Sequence, residues 1–204
     1  MTQNHLIIFT RYPVPGTTKT RLIPALGAEG AAALQKQLTE HTLRQVQDLS
    51  AEVTIYFSGG NLQQMQDWLG EKWHFQSQSG DDLGDRLINA IQNSKNAGYQ
   101  RTVVIGIDCP EITSDILQQA FTALETHELV LGEATDGGYY LLGLQRLIPE
   151  LFSEITWGTE TVLAETMQRA QAQKLSTKIL QPLNDIDYPE DLEIWEKVQH
   201  QTAT

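Results

Sequence analysis

One cysteine, Cys109, stands in the 204 residues, so no intramolecular disulfide can form. Without a signal segment either, the chain is expected in a reducing interior, the cytoplasm. Basic residues are also scarce: 14 Lys and Arg against 26 Asp and Glu leave a net charge of −12. That balance repels polyanions and argues against nucleic acid or an anionic membrane surface as the main partner. No apolar run approaches the roughly 18 residues a membrane span needs. The chain enters its first strand from Met1 with no basic stretch and no cleavage pattern, so neither membrane insertion nor export is expected. The five histidines, His5, His41, His74, His127 and His200, lack metal-ligand spacing. Repeats, linkers and low-complexity tracts are missing too. What remains, 40% hydrophobic and 20% charged residues, is the composition of an ordinary globular chain with small ligands as partners, and its length fits one domain, residues 1–204.

Apolar runs alternate with amphipathic stretches almost to the end, the pattern of βα units on a largely parallel sheet. Leu6–Thr10 reads as a strand, residues 28–49 as the first long helix, and Glu52–Phe57 as a strand stopped by Ser58-Gly59-Gly60. A short helix over 62–69, a short strand over 73–76 and a helix over 83–97 follow. Thr102–Ile107 is the most apolar strand and is expected at the sheet's centre, covered on both faces. Beyond it come a helix over 113–126, strands over 129–132 and 139–144 joined through Asp136-Gly137-Gly138, a helix over 159–173, a strand over 177–180 and a final helix over 189–198. The junction at Asp136 departs from simple βα alternation.

The segment from Arg11 to Leu22 follows the first strand directly and carries Arg11, Lys19 and Arg21. Three cations so close together in an acidic chain point to an anion, and the carboxyl end of a strand is where open α/β sheets bind ligands. Gly16 lets the backbone approach a ligand closely, Pro13 and Pro15 stiffen the loop, and Lys19 and Arg21 can reach phosphate oxygens. It is not a Walker A loop, because Thr18 precedes Lys19 and Val14 fills the earlier glycine position. A solvated loop with accidental cations is the plainer alternative.

Asp108 follows the central strand, at the same sheet edge. A divalent cation, Mg²⁺ or Mn²⁺, needs only one or two carboxylates when phosphate and water complete its shell, so Asp108 is a metal candidate; starting a turn before Cys109-Pro110 is the alternative. In Asn184-Asp185-Ile186-Asp187-Tyr188-Pro189, the two carboxylates point the same way along an extended chain. Asp187, nearer the helix start, is the better second metal ligand, and a plain helix cap is its rival reading. Gly80-Asp81-Asp82-Leu83-Gly84-Asp85-Arg86 opens a helix, where Asp82 and Arg86 serve either a ligand or the helix itself. Asp136-Gly137-Gly138 suits a hairpin turn, and Trp157-Gly158-Thr159 an acceptor loop or a cap. Cys109 has no histidine near it in sequence to support a nucleophile.

In order, Phe9-Thr10-Arg11-Tyr12-Pro13-Val14-Pro15-Gly16-Thr17-Thr18-Lys19-Thr20-Arg21-Leu22, Gly80 to Leu87, Gly106-Ile107-Asp108-Cys109-Pro110, Asp136-Gly137-Gly138-Tyr139 and Trp157-Gly158-Thr159 resemble the bacterial glycosyltransferase-A-like family associated with arsenosugar biosynthesis. The chain is more distantly similar to phospholactate guanylyltransferase and molybdenum-cofactor guanylyltransferase. The resemblance implies a three-layer, Rossmann-like, mostly parallel sheet of the nucleotide-diphospho-sugar transferase (GT-A) type. It also implies a nucleotide-activated donor, Lys19 and Arg21 on its phosphates, and a divalent metal on Asp108. The ending Asp185-Ile186-Asp187-Tyr188-Pro189-Glu190-Asp191-Leu192 resembles that of sugar nucleotidyltransferases, where an Asp joins the metal; Tyr188 replaces their usual Thr, and Arg11 a common Lys.

These readings converge on a metal-dependent transferase. Lys19, Arg21 and Asp108 form its catalytic set, and Arg11, Pro15, Gly16, Lys19, Arg21, Asp82 and Arg86 hold the nucleotide and its phosphates. Asp136, Gly137, Gly138 and Trp157 lie on the side of a small-molecule acceptor, and Asp108 and Asp187 hold the metal. Glycosyl transfer from a nucleotide sugar leads, nucleotidyl transfer with pyrophosphate release is the alternative, and a non-catalytic nucleotide-binding domain ranks last. A homodimer is compatible with all three.

Overall fold

A computed structural model describes residues 3–202; residues 1, 2, 203 and 204, at the ends of the expected 1–204 domain, lie outside the described residues. The strands are β1 (Asn4–Arg11), β2 (Glu52–Ser58), β3 (His74–Ser77), β4 (Arg101–Ile105), β5 (Leu129–Ala134), β6 (Tyr139–Leu144) and β7 (Thr177–Leu183). They form one seven-stranded sheet in the order β3-β2-β1-β4-β6-β5-β7. Only β6 runs antiparallel to its neighbours among the described strands. The apolar strand β4 is central, as its composition predicts.

Side-chain alternation along the strands divides the core. Leu6, Ile8, Val103 and Ile105 face one layer, built from α1 (Ile23–Gln45), α2 (Leu62–Leu69), α4 (Ser114–Ala123) and α6 (Leu192–Thr202). Ile7 and Val104 face the other, where Leu87 and Ile91 of α3 (Leu83–Asn96) and Ala170 of α5 (Val162–Ala172) pack. The expected three-layer α/β arrangement with a mostly parallel sheet is the observed one.

Boundaries shift where local chemistry overrides periodicity. The first helix begins at Ile23 rather than residue 28, because Pro24 suits a first turn, and the chain continues across a non-helical Gly27 (φ 71°, ψ 169°). Strand β7 extends through Pro182 to Leu183; it lies at the sheet's edge, where proline is tolerated. No helix among the described residues is long and apolar enough to cross a membrane.

A buried polar knot ties α3 to the sheet. His5 pairs with Ser94 Oγ and Thr54 Oγ1, both at 2.8 Å, and stacks on Tyr99. Burial, then the nearby positive charge of Lys95, lowers the His5 pKa to about 4. The unfolded chain takes up this proton near pH 6.5, whereas the folded one resists it down to about 4. Stability is therefore complete above pH 6.5 and declines as the pH falls toward 4, by at most about 3 kcal/mol from this residue. Urea unfolding at pH 7.5 and 4.5 checks this: the loss is expected to shrink in His5→Gln, and an equal loss in that variant would refute it.

Candidate active site

The loop after β1 is built rigidly. Tyr12 N–H donates to Ser58 O (2.9 Å), extending the β1–β2 pairing, and the Val14 carbonyl accepts from Thr17 N–H (3.1 Å) and from the hydroxyls of Thr17 (3.0 Å) and Thr18 (3.2 Å). Arg11 turns back onto the loop, its Nη1 donating to Thr17 O at 2.9 Å. Gly16 has φ +80°, and a Cβ there would touch nothing within 4 Å, so the glycine answers a backbone demand of the turn itself. Pro15 is exposed beside it.

Lys19 adopts the left-handed region (φ 47°, ψ 45°), a conformation that costs a non-glycine residue about 1–2 kcal/mol. This turn directs its side chain inward, where only 6% stays exposed. Lys19 Nζ lies 2.6 Å from Asp108 Oδ1 and 3.9 Å from Asp187 Oδ1, and donates a short hydrogen bond to the Ile186 carbonyl. Arg21 Nη1 sits 2.8 Å from Asp187 Oδ2, and its guanidinium lies 5.1 Å from the centre of the exposed Tyr188 ring.

The segment after β7 is strapped across the end of β4. Ile186 N–H donates to Asp108 O (2.9 Å), and Glu111 Oε2 accepts from both the backbone (3.1 Å) and the side chain (3.0 Å) of Asn184. The following turn is capped by Asp191, whose carboxylate accepts from the N–H groups of Asp187 (3.0 Å) and Tyr188 (2.7 Å). Asp187 is thus not the cap, and its own carboxylate is available to Arg21. Asp185 accepts from the buried Cys109 thiol. Burial, reinforced by the carboxylates of Asp108, Asp136 and Asp187, holds Asp185 up to about 7 against that hydrogen bond. Burial, then Asp185, pushes the Cys109 thiol far up, which disqualifies it as a nucleophile at neutral pH. Asp187 is raised by burial and Asp108, with Lys19 and Arg21 opposing.

Three cavities meet at these carboxylates. The first, about 340 Å³, is lined by Arg11, Gln35, Gln78, Leu83 and the Gly106–Cys109 segment, with Tyr139 and Tyr140 at its wall. The second, about 220 Å³, lies among Lys19, Thr20, Arg21, Gln35, Asp108 and Asp187. The third, about 490 Å³, opens between Arg21, Asp187 and Tyr188 on one side and Asp136 with Gly158–Glu160 on the other. Asp108 joins the first to the second, Asp187 and Arg21 the second to the third.

The sequence-derived candidates therefore divide. Arg11, Lys19, Arg21, Asp108, Asp136 and Asp187 surround the connected cavities. Asp82 caps α3, accepting from Asp85 N–H at 2.8 Å, and Arg86 Nε holds Gly80 O at 3.2 Å; the helix reaches the first cavity through Leu83 and Leu87 instead. Asp136-Gly137-Gly138 does form the hairpin turn, with Asp136 Oδ1 accepting from Gly138 N–H at 2.9 Å. Trp157 packs edge-on against Tyr139, and the residues after it line the third cavity. Residue patterns did not single out Gln35 and Gln78. Gln78 Nε2 donates to the carbonyls of Thr10 (3.2 Å) and Tyr56 (3.0 Å), and its one sequence signal is its place just past a strand's carboxyl end.

A metal is compatible with this donor set. The Lys19 ammonium occupies an all-oxygen cage of Asp108, Asp187 and the Ile186 carbonyl, the ligand chemistry Mg²⁺ and Mn²⁺ prefer. Among the described residues no three His, Cys, Asp or Glu side chains converge on one metal position, so phosphate and water would have to complete the shell.

The class this architecture defines is the fold of nucleotide-diphospho-sugar transferases and nucleotidyltransferases. A crystal structure from Desulfovibrio desulfuricans G20, provisionally described as a nucleotide-diphospho-sugar transferase, superposes with TM-score 0.89 at 32% identity, covering 92% of this chain and 84% of that one. CMP:2-keto-3-deoxy-manno-octonic acid synthetase complexed with CTP shares the fold at TM-score 0.62 and 11% identity, over 98% and 99% of the two chains. So does molybdopterin-guanine dinucleotide biosynthesis protein A from Archaeoglobus fulgidus, at TM-score 0.57 and 12% identity, over 97% and 99%. No curated protein matches the chain significantly. Residues 42–159 match the family described as "Uncharacterized protein conserved in bacteria (DUF2064)", and the chain belongs to that family.

Proposed function

We propose that the protein is a cytoplasmic, metal-dependent transferase that takes a nucleotide sugar as donor and a small molecule as acceptor. The observation carrying this reading is the Lys19–Asp108–Asp187–Arg21 cluster at the junction of three cavities. The mostly apolar first cavity suits the nucleoside, the second the diphosphate, and the third the acceptor. Asp108 and Asp187 would hold a divalent cation, which when bound neutralises phosphate oxygens and stabilises the leaving group. Lys19 and Arg21 bind and orient the diphosphate and oppose the negative charge that builds on it as the sugar departs. Asp136, across the third cavity, orients an acceptor hydroxyl. The resemblance to a family associated with arsenosugar biosynthesis supports a sugar-transfer reaction, as does the provisional description of the relative from Desulfovibrio desulfuricans G20 as a nucleotide-diphospho-sugar transferase.

Nucleotidyl transfer remains the second reading, because Arg11, Lys19 and Arg21 could serve a triphosphate and the low-identity fold relatives include a synthetase complexed with CTP. Calorimetric titration with nucleoside diphosphates and Mn²⁺ tests the site: binding is expected in the wild type and lost in Asp108→Ala, and unchanged binding in that variant would overturn the assignment. Release of pyrophosphate from a nucleoside triphosphate and candidate acceptors would replace the first reading by the second.

A further inference from the structure

We propose that Lys19 closes the cation cage until a donor's phosphates draw its ammonium out, so that metal and donor bind synergistically. The inference rests on the metal-dependent reading above. Lys19 Nζ is held by Asp108 Oδ1 at 2.6 Å and by the Ile186 carbonyl, with Asp187 Oδ1 at 3.9 Å. These are the oxygens a divalent cation would need, and an ammonium and a dication cannot share them at such distances without strong repulsion. The lysine is therefore a competitor for the cage, and it is well seated: its side chain is nearly all buried and its backbone is turned left-handed to direct it there. Arg21, by contrast, is half exposed and engages Asp187 and the ring of Tyr188, outside the cage.

A phosphate entering the second cavity changes this balance. It offers Lys19 a charge-assisted partner outside the cage, and the vacated oxygens are left with excess negative charge between Asp108 and Asp187. Each ligand then raises the affinity of the other by one common factor, as linkage requires.

The test is Mn²⁺ binding without nucleotide, followed by the electron paramagnetic resonance signal of free Mn²⁺, in the wild type and in Lys19→Met, which keeps the length but removes the charge. The variant is expected to bind Mn²⁺ more tightly by about 5- to 150-fold, the usual range of coupling between sites. Adding Asp108→Asn to it should abolish the gain. Lys19→Gln serves as a second uncharged variant, and thermal unfolding verifies that each is folded. Nucleoside diphosphate affinity with and without Mn²⁺ is measured in parallel on the wild type. If Mn²⁺ strengthens nucleotide binding there but neither folded variant binds Mn²⁺ better alone, the gate is refuted while the metal site stands. If Mn²⁺ affects nothing in any protein, the metal reading and the gate fall together.

Discussion

Gly137→Ala is expected to destabilise the fold by about 4 kcal/mol, lowering the melting temperature by roughly 10 °C. Gly137 has φ +90°, and a Cβ there would lie 2.1 Å from the backbone oxygen of Glu160. The Cβ is fixed by its own backbone and the oxygen it meets is backbone too, so no side-chain rotation relieves the clash. The Gly137 carbonyl also accepts from Leu163 N–H at 2.9 Å, which fixes the β5–β6 turn against the start of α5. The segment forced to move is Gly158–Glu160, a wall of the third cavity. Gly158→Ala separates strain from clash: φ there is +78°, but nothing lies within 4 Å of a Cβ, so about 1 kcal/mol is expected. Thermal and urea unfolding of both variants decide the matter. If they melt within a few degrees of each other, the contact with Glu160 is not a constraint.

The same turn shows what the sequence makes legible. Asp-Gly between two alternating apolar runs has a local cause, and hairpin geometry follows from it. Central placement of β4 is legible for a similar reason, since Val103, Val104 and Ile105 leave no polar face to expose. Asp108 at the end of that strand is local too. Its meeting with Asp187 is expected from the paired carboxylates of the ending, but the bonds that bring it about are not legible: Ile186 N–H reaches Asp108 O and Glu111 grips Asn184, and hydrogen bonds between distant segments leave no periodic trace. Asp82 and Arg86 illustrate the opposite difficulty. An acid and a base at a helix start serve a ligand and a cap with equal chemistry, and here the backbone claims both. Asp187 resolves the other way, because Asp191 performs the capping. The inward turn of Lys19 required a left-handed residue that nothing in its side chain announces.

Turnover is expected to fall by about 10²–10³-fold in Asp108→Asn, the scale of losing one preorganised electrostatic contact to a developing anion, here the contact made through the cation that Asp108 would hold. The substitution keeps the side chain's shape and removes its charge. Lys19 then loses its partner at 2.6 Å, and the cage keeps only Asp187 and the Ile186 carbonyl to hold a cation. The effect should fall on the KM for donor as well as on kcat, because the cation that Asp108 would hold binds the diphosphate, in line with the binding loss expected in Asp108→Ala. Donor hydrolysis, with water in place of an acceptor, measures this before the acceptor is known, and Asp108-dependent hydrolysis would also exclude a non-catalytic nucleotide-binding domain. Asp82→Ser, which keeps a capping oxygen, and Arg86→Ala provide the contrast. Both lie at the start of α3, Asp82 accepting from Asp85 N–H and Arg86 Nε donating to Gly80 O, and neither lines the connected cavities, so turnover in each should stay within about 3-fold of wild type, well short of a single kinetically important contact. Equal losses in these variants and in Asp108→Asn would move the phosphate site from the Lys19 loop to the α3 side of the cleft.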